Sequence, residues 1–406
     1  MSTLDPERVI HLLREHLAAH DKRLAFLFGA GTSSAINVAP IPESGKKRGY
    51  DPLVPAVKRM TELCKSAVAA ISEPHAAAWE MLVSECESLG ESSNIEAILG
   101  RLRLKLDAAG PAEMTLGLTG QQLIELETAI RGKIADLASP DESRIPTSTP
   151  HDQFARWIKQ ARRQHAIEIF TTNYDVLIER SLELARVPFF DGFIGSYKPY
   201  FSPDAIDVDN SLPGRKWTRL WKLHGSTNWS LENNIATRQS VVGMGDMILP
   251  SHRKYDESRK MPYLALMDRL TTCVSADGMI LVTAGYSWND QHINSTILTA
   301  LDSHSGNAVV ALSYAELDTL PELVQLAEAR SNFILIAPSE GILGGKRGSW
   351  ALTKPISGAT ASFLDLFFDS DAVPGDSTAV IPGKMRLGDF NVFSDFLARM
   401  NFGEDQ

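Results

Sequence analysis

Leu24-Ala25-Phe26-Leu27-Phe28-Gly29-Ala30-Gly31-Thr32-Ser33-Ser34 is the stretch that decides the fold. Its first five residues are apolar without alternation, the pattern of a parallel strand covered by helices on both faces. The run ends on a Gly-x-Gly turn, and a helix start is expected directly after it. A strand, a glycine turn and a helix start are what a pyrophosphate needs. The glycines let the backbone come close, and the helix end offers N–H groups and a positive dipole. Alone, the same turn equally serves a tight strand-to-helix crossover without a ligand. No acidic residue follows a second strand at the usual dehydrogenase spacing, which argues against ordinary hydride transfer.

Outward from this turn, similar strands recur. Ile167–Phe170 leads into Thr171-Thr172-Asn173-Tyr174-Asp175. Leu220–Leu223 leads into His224-Gly225-Ser226, and Met279–Ala284 into Gly285-Tyr286-Ser287. Val309–Leu312 and Phe333–Ile336 follow, with helical segments such as Asp175–Ala185 and Asn289–Leu301 between. This alternation predicts an α/β fold, a Rossmann-like, mostly parallel sheet flanked by helices. In such sheets ligands bind in the crevice beyond the carboxyl ends of the strands. Four polar clusters sit at four strand ends and are expected to line one pocket.

Residues 52–139 read differently. Val54–Ile71, His75–Leu89, Asn94–Ala109 and Gln121–Leu137 have helical period, with breakers such as Ser72-Glu73-Pro74 and Gly110-Pro111 between them and no strand signal. The chain therefore divides into a sheet domain, 1–45 and 151–406, and an all-helical insertion, 46–150. Pro140–Pro150 is the polar link back. An amphipathic helix is expected over residues 5–20.

The totals exclude several classes of function. The chain has 406 residues, 44% of them hydrophobic, and a formal net charge of −10. That balance repels a phosphate backbone, so direct nucleic-acid binding is disfavoured. Lys46-Lys47-Arg48 and His252–Lys260 are the two local basic stretches, each also readable as a solvated loop. Cys64, Cys86 and Cys273 are the only cysteines and form no CxxC pair, so neither a disulfide framework nor a four-cysteine zinc site is expected, and no metal. No apolar run is long enough to span a bilayer, and the charged start of the chain is unlike a signal peptide; a cytoplasmic protein is expected.

Each cluster has a chemical and a plain reading. Asn173 and Asp175, two apart at a strand end, suit an amide, ribose hydroxyls or a water, while Asp175 also fits a helix cap. His224 before a glycine suits a general base with backbone clearance, or a structural histidine. Gly285 and Ser287 can approach a ribose or phosphate, while Asp290 and His292 also fit the start of the next helix.

Taken jointly and in order, GAGTS, TTNYD, KLHGS and GYSWND, each after a strand, resemble the sirtuin superfamily. The resemblance implies that Gly29, Ala30, Gly31, Thr32 and Ser33 bind NAD+ phosphates, and that Ile41-Pro42 belongs to the loop covering the cofactor. It implies a nicotinamide pocket at Asn173 and Asp175, a catalytic His224, and cofactor contacts at Gly285, Ser287 and Asp290. Thr172 stands where the family has Gln, so its ribose contact differs, and Tyr174 replaces Ile. The family's zinc module needs four cysteines that this chain lacks, which speaks against a deacylase. The chain is more similar to the bacterial sirtuin-like proteins of antiphage defence. They share TTNYD, HGS and GYSxxDxHI segments, a helical insertion and a closing region resembling Leu387-Gly388-Asp389-Phe390 with Phe393 and Phe396.

That resemblance implies an NAD+ glycohydrolase that depletes NAD+ in an infected cell, with catalytic Asn173, His224 and Asp175. It also implies a homo-oligomer, in some members paired with a HerA-like hexameric ATPase. Uncontrolled hydrolysis would harm the host, so the insertion is expected to gate activity, as a contact surface or as a lid completing the pocket. The alternative is a non-catalytic NAD+ or ADP-ribose sensor, which would have no need of a base at position 224.

Overall fold

The structure, a computed structural model, describes residues 2–42, 48–90, 92–110, 113–232, 235–239, 262–352, 364–370 and 380–400. Lys46-Lys47 and the basic stretch His252–Lys260 lie outside the described residues.

Six strands form its centre: β1 (Arg23–Phe28), β2 (Glu168–Thr171), β3 (Thr218–Lys222), β4 (Met279–Ala284), β5 (Ala308–Leu312) and β6 (Phe333–Ile336). They lie in the order β6-β5-β4-β1-β2-β3, all parallel. The chain winds outward from β1 through β2 to β3, then returns and winds outward the other way through β4, β5 and β6. The direction reverses between β1 and β4, the switch point at which doubly wound sheets open their ligand crevice.

The strands are mostly apolar because both faces are covered, and the charges that β2 and β3 carry, Glu168, Arg219 and Lys222, are in ion pairs. Leu24, Phe26 and Phe28 project to one core, Ala25 and Leu27 to the other. The first core is closed by α1 (Pro6–Ala18) and by the terminal helix Phe390–Met400, whose Phe390, Phe393 and Phe396 are buried among the β1 aromatics and Phe154. The second is closed by Tyr263–Val274, Gln291–Ser303 and Pro321–Glu328. The glycine turn opens a helix of only five residues, α2 (Ala30–Ser34).

Four helices follow: α3 (Val57–Ala69), α4 (Glu73–Ser88), α5 (Ile95–Ala108) and α6 (Gly120–Ala138). They have a core of their own, in which Trp79, Leu82, Leu99, Leu126 and Ile130 are buried. Local chemistry sets their bounds. Asn94 caps α5 by accepting from the Glu96 and Ala97 N–H groups, and Thr119 with Gln122 forms a capping box on α6. Pro74, read in the sequence as a breaker, sits within the first turn of α4, where a missing N–H costs nothing. α7 (Pro150–Gln160) and α8 (Leu177–Leu184) return to the first face of the sheet, α7 starting from a Thr149–Asp152 capping box.

Three features depart from the sequence-based expectation. A short hairpin, Met114–Thr115 with Leu118–Thr119, interrupts the helices; its turn uses Leu116 and Gly117 at positive φ. Beyond β6 the sheet continues antiparallel through Glu340–Leu343, Lys346–Leu352, Ile381–Met385 and Phe368–Ser370, with Ser2–Leu4 pairing parallel to Lys346–Leu352. A separate antiparallel sheet of Phe193–Ile194, Tyr200–Phe201, Trp229–Glu232 and Ile235–Arg238 fills the span before and after β3. Among the described residues no helix is long and apolar enough to cross a membrane, and no group of three or more His, Cys, Asp or Glu could hold a metal ion. The three cysteines are buried and in no disulfide.

Candidate active site at the switch point

The ends of β1 and β4 meet through glycine. The Gly29 N–H donates to the Ala284 carbonyl at 3.2 Å, and the Gly31 N–H to the Gly285 carbonyl at 2.9 Å. A Cβ on Gly31 would stand 2.5 Å from Gly285 Cα. Gly285 has φ +62°, and a Cβ there would stand 2.4 Å from the Thr32 nitrogen. The Gly-x-Gly turn therefore serves the close approach of two loops first, and two N–H groups expected to face phosphates are taken by backbone. Thr32 and Ser33 are buried behind it, with the Thr32 hydroxyl donating to the Gly29 carbonyl at 2.9 Å.

Ser33 joins the first cluster to the second. Asn173 Nδ2 donates to Ser33 Oγ at 2.9 Å and to Thr32 Oγ1 at 3.1 Å. Ser33 Oγ in turn donates to Asp175 Oδ2 at 2.7 Å, and Asp175 Oδ1 accepts from the Leu177 N–H at 3.1 Å. Asp175 thus steadies the start of α8 through the Leu177 N–H and holds the Ser33 hydroxyl at once, with one buried carboxylate.

The third cluster clamps the second. Lys222, 1% exposed at the end of β3, donates from Nζ to the carbonyls of Tyr174 and Asp175 and to Glu179 Oε1, the last at 2.8 Å. The Ser226 and Thr227 hydroxyls and the Thr227 N–H also converge on the Tyr174 carbonyl. A buried ammonium is tolerated only with a carboxylate and further acceptors, which this loop supplies. His224 follows, with Gly225 at φ +82° turning the chain away beside it.

His224 Nε2 lies 3.2 Å from Asp290 Oδ2, and Asp290 Oδ1 caps the Gln291–Ser303 helix through the His292 and Ile293 N–H groups. The pair joins the end of β3 to the end of β4, across the two strands between them. The Tyr174 ring stands 6.4 Å from the imidazole. Burial, with Glu96 adding to it, raises the Tyr174 phenol well above its usual range. Burial and then the Asp290 and Glu96 carboxylates raise Tyr286, whose hydroxyl bonds Asn294 Oδ1 at 2.9 Å.

Ala30, Ser33, Thr172, Asn173, Tyr174 and Asp175 line a cavity of about 70 Å³ whose opposite wall comes from Met60 of α3, Ile95, Glu96 and Leu99 of α5, and Ile134 of α6. Tyr174 packs on the helical core itself. Pro42 and Ser287, Ser287 being exposed, stand outside this cavity, and His224 and Asp290 adjoin it through Tyr174. Lys222 stood in the third sequence cluster without a role, and its clamp on the Tyr174 and Asp175 carbonyls comes from the fold. Glu96 escaped the sequence reading, because nothing local marks a helix residue as facing a distant loop.

A family model described as SIR2-like domain matches residues 167–334, a span that holds the TTNYD, HGS and GYSWND clusters and leaves the Gly29–Ser33 turn outside. No curated protein matches the chain. A structure solved in work on the mechanism and regulation of Sir2 enzymes is similar at 11% identity and a TM-score of 0.31, covering 78% of this chain and 89% of that one.

Proposed function

We propose that the protein is an NAD+ glycohydrolase that cleaves the nicotinamide–ribose bond. The observation that carries this is the hydrogen-bonded set Asn173–Ser33–Asp175 beside a His224–Asp290 pair at the switch point of a doubly wound sheet. The SIR2-like match over residues 167–334 supports NAD+ as the substrate, since that family in general binds NAD and acts on it.

In this reaction a water oxygen bonds to the ribose C1′ as the C1′–nitrogen bond breaks. The bonding pair leaves on nicotinamide, ADP-ribose remains, and the water's proton is taken up by the enzyme. With Asp290 ionised, the proton on His224 sits on Nε2, leaving the Nδ1 lone pair to accept that proton, a base oriented by a carboxylate. Asn173 orients the nicotinamide amide or the water, and Asp175 keeps Ser33 and Asn173 in place. Gly29 to Ser33 with Thr172, Gly285 and Asp290 form the crevice for the rest of the dinucleotide, with Pro42 and Ser287 reaching it as the covering loops close.

A 70 Å³ cavity is far below the few hundred cubic ångströms of an ordinary small-molecule pocket. Substrate entry therefore needs the α3, α5 and α6 wall to withdraw. This supports gating by a helical insertion, which we place at residues 46–150 against a sheet domain of 1–45 and 151–406. The order of the motifs supports a role as an NAD+-depleting effector of antiphage defence in the cytoplasm, as a homo-oligomer able to pair with a HerA-like ATPase.

The test is nicotinamide release from NAD+, followed chromatographically, with and without a co-purified ATPase. Loss of about three orders of magnitude in His224→Ala and Asn173→Ala is expected. Tight NAD+ binding with no release in any condition would replace the hydrolase by a sensor.

A further inference from the structure

At the opposite end of the sheet lies a larger cavity, about 620 Å³, among the residues that precede β1 and β2 and those that begin β3. It is separated from the switch point by the length of the strands, roughly 15 Å. Arg162, Arg163, His165, Arg186, Arg215 and Lys216 line it, and no acidic side chain does, on a chain of net charge −10. Among the described residues none of these six is in an ion pair. The neighbouring Arg219 and Arg269, by contrast, are taken up by the buried Glu168, at 3.0 and 3.5 Å.

Two features show that the charge is concentrated against a cost. Arg186 has φ +55° at the end of α8, where its N–H donates to the Glu183 carbonyl and the Val187 N–H to the Leu182 carbonyl. That helix-ending left-handed position ordinarily belongs to glycine, so an arginine here is held against its backbone preference. His165 is pushed down by burial and by the guanidiniums of Arg23, Arg163 and Arg219. Arg163 is pushed down to about 10 by burial, with Asp21 the opposing acid.

We propose that this cleft is a second ligand site, for a nucleoside di- or triphosphate. Its volume falls within the range of small-molecule pockets. The guanidiniums of Arg162, Arg186 and Arg215, in no ion pair among the described residues, are natural partners of phosphate oxygens, whereas Arg163 is already held by the Leu17 and Lys22 carbonyls. Ile158, Ile167, Val187 and Pro188 give it an apolar wall against which a base can lie, which a bare polyphosphate would not use. A long nucleic acid meets the repulsion of the acidic remainder of the surface.

Titration calorimetry of the full-length protein with ATP tests this, beside tripolyphosphate and a single-stranded oligonucleotide. Arg162→Glu with Lys216→Glu, both exposed, should weaken ATP about tenfold or more without moving the thermal midpoint, whereas Asn173→Ala should leave ATP binding intact. Three results would overturn the proposal: no ATP binding at millimolar concentration, loss in Asn173→Ala alone, or tighter binding of the oligonucleotide than of ATP. Tripolyphosphate binding as tightly as ATP would overturn the nucleoside assignment.

Discussion

The two ends of the parallel sheet are built on opposite principles. At the carboxyl end, loops touch through glycine, polar side chains pair with one another, and about 70 Å³ remains open. At the amino end, cations stand without carboxylates around about 620 Å³. A site with satisfied hydrogen bonds and little space is preorganised and must be opened, whereas a site with unsatisfied charge is open and waits to be neutralised.

The contrast can be broken most forcefully at Gly285. Gly285→Ala places a Cβ against the Thr32 nitrogen at a left-handed φ, and should cost about 4 kcal/mol by chemical denaturation. A loss under about 1 kcal/mol would mean that the loops are not in contact. Acid should reveal the next effect. His151, buried at the start of α7 against Phe390, is pushed down to about 4 by burial. The unfolded chain takes up its proton near pH ~6.5 and the folded chain only near pH 4, so stability is full above ~6.5 and is lost on acidification through that window. The loss amounts to about 3 kcal/mol, and His151→Phe should flatten this part of the pH profile. Ser33→Ala removes the link between Asn173 and Asp175 and should cost about 1 kcal/mol by thermal melting, with a larger loss of turnover. The smallest effect belongs to the amino end. Arg186→Gly should stabilise by about 0.5 kcal/mol while weakening ATP, the opposite signs marking a residue kept for binding.

Much of the carboxyl end was legible because its cues are local. Predominantly apolar runs gave all six central strands, two of them despite a charge, Glu168 and Lys222, and each cluster lies at a strand end. Asn173, Ser33 and Asp175 do join, as do His224 and Asp290. What escaped was non-local. That Gly31 packs on Gly285 depends on β1 lying beside β4, and that Glu96 and Met60 wall the cavity depends on where the helices dock. The antiparallel strands after β6 carry polar and glycine residues such as Arg347, Gly348 and Lys384, so they lack the buried-strand signature. The amino-end cleft gathers cations from segments whose individual charge is ordinary.

The first strand also sets the order in which the molecule can be made. Ser33 meets Asp175 142 residues later, Phe28 is in register with Ala284, and the Ala35 carbonyl accepts from Asn391 after 356 residues. Pairings of such separation form slowly, since loop closure is incurred before any contact rewards it. During synthesis β1 leaves the ribosome long before its partners exist. The crevice is therefore a late product of folding, and a chain cut short before β4 has no switch point at all.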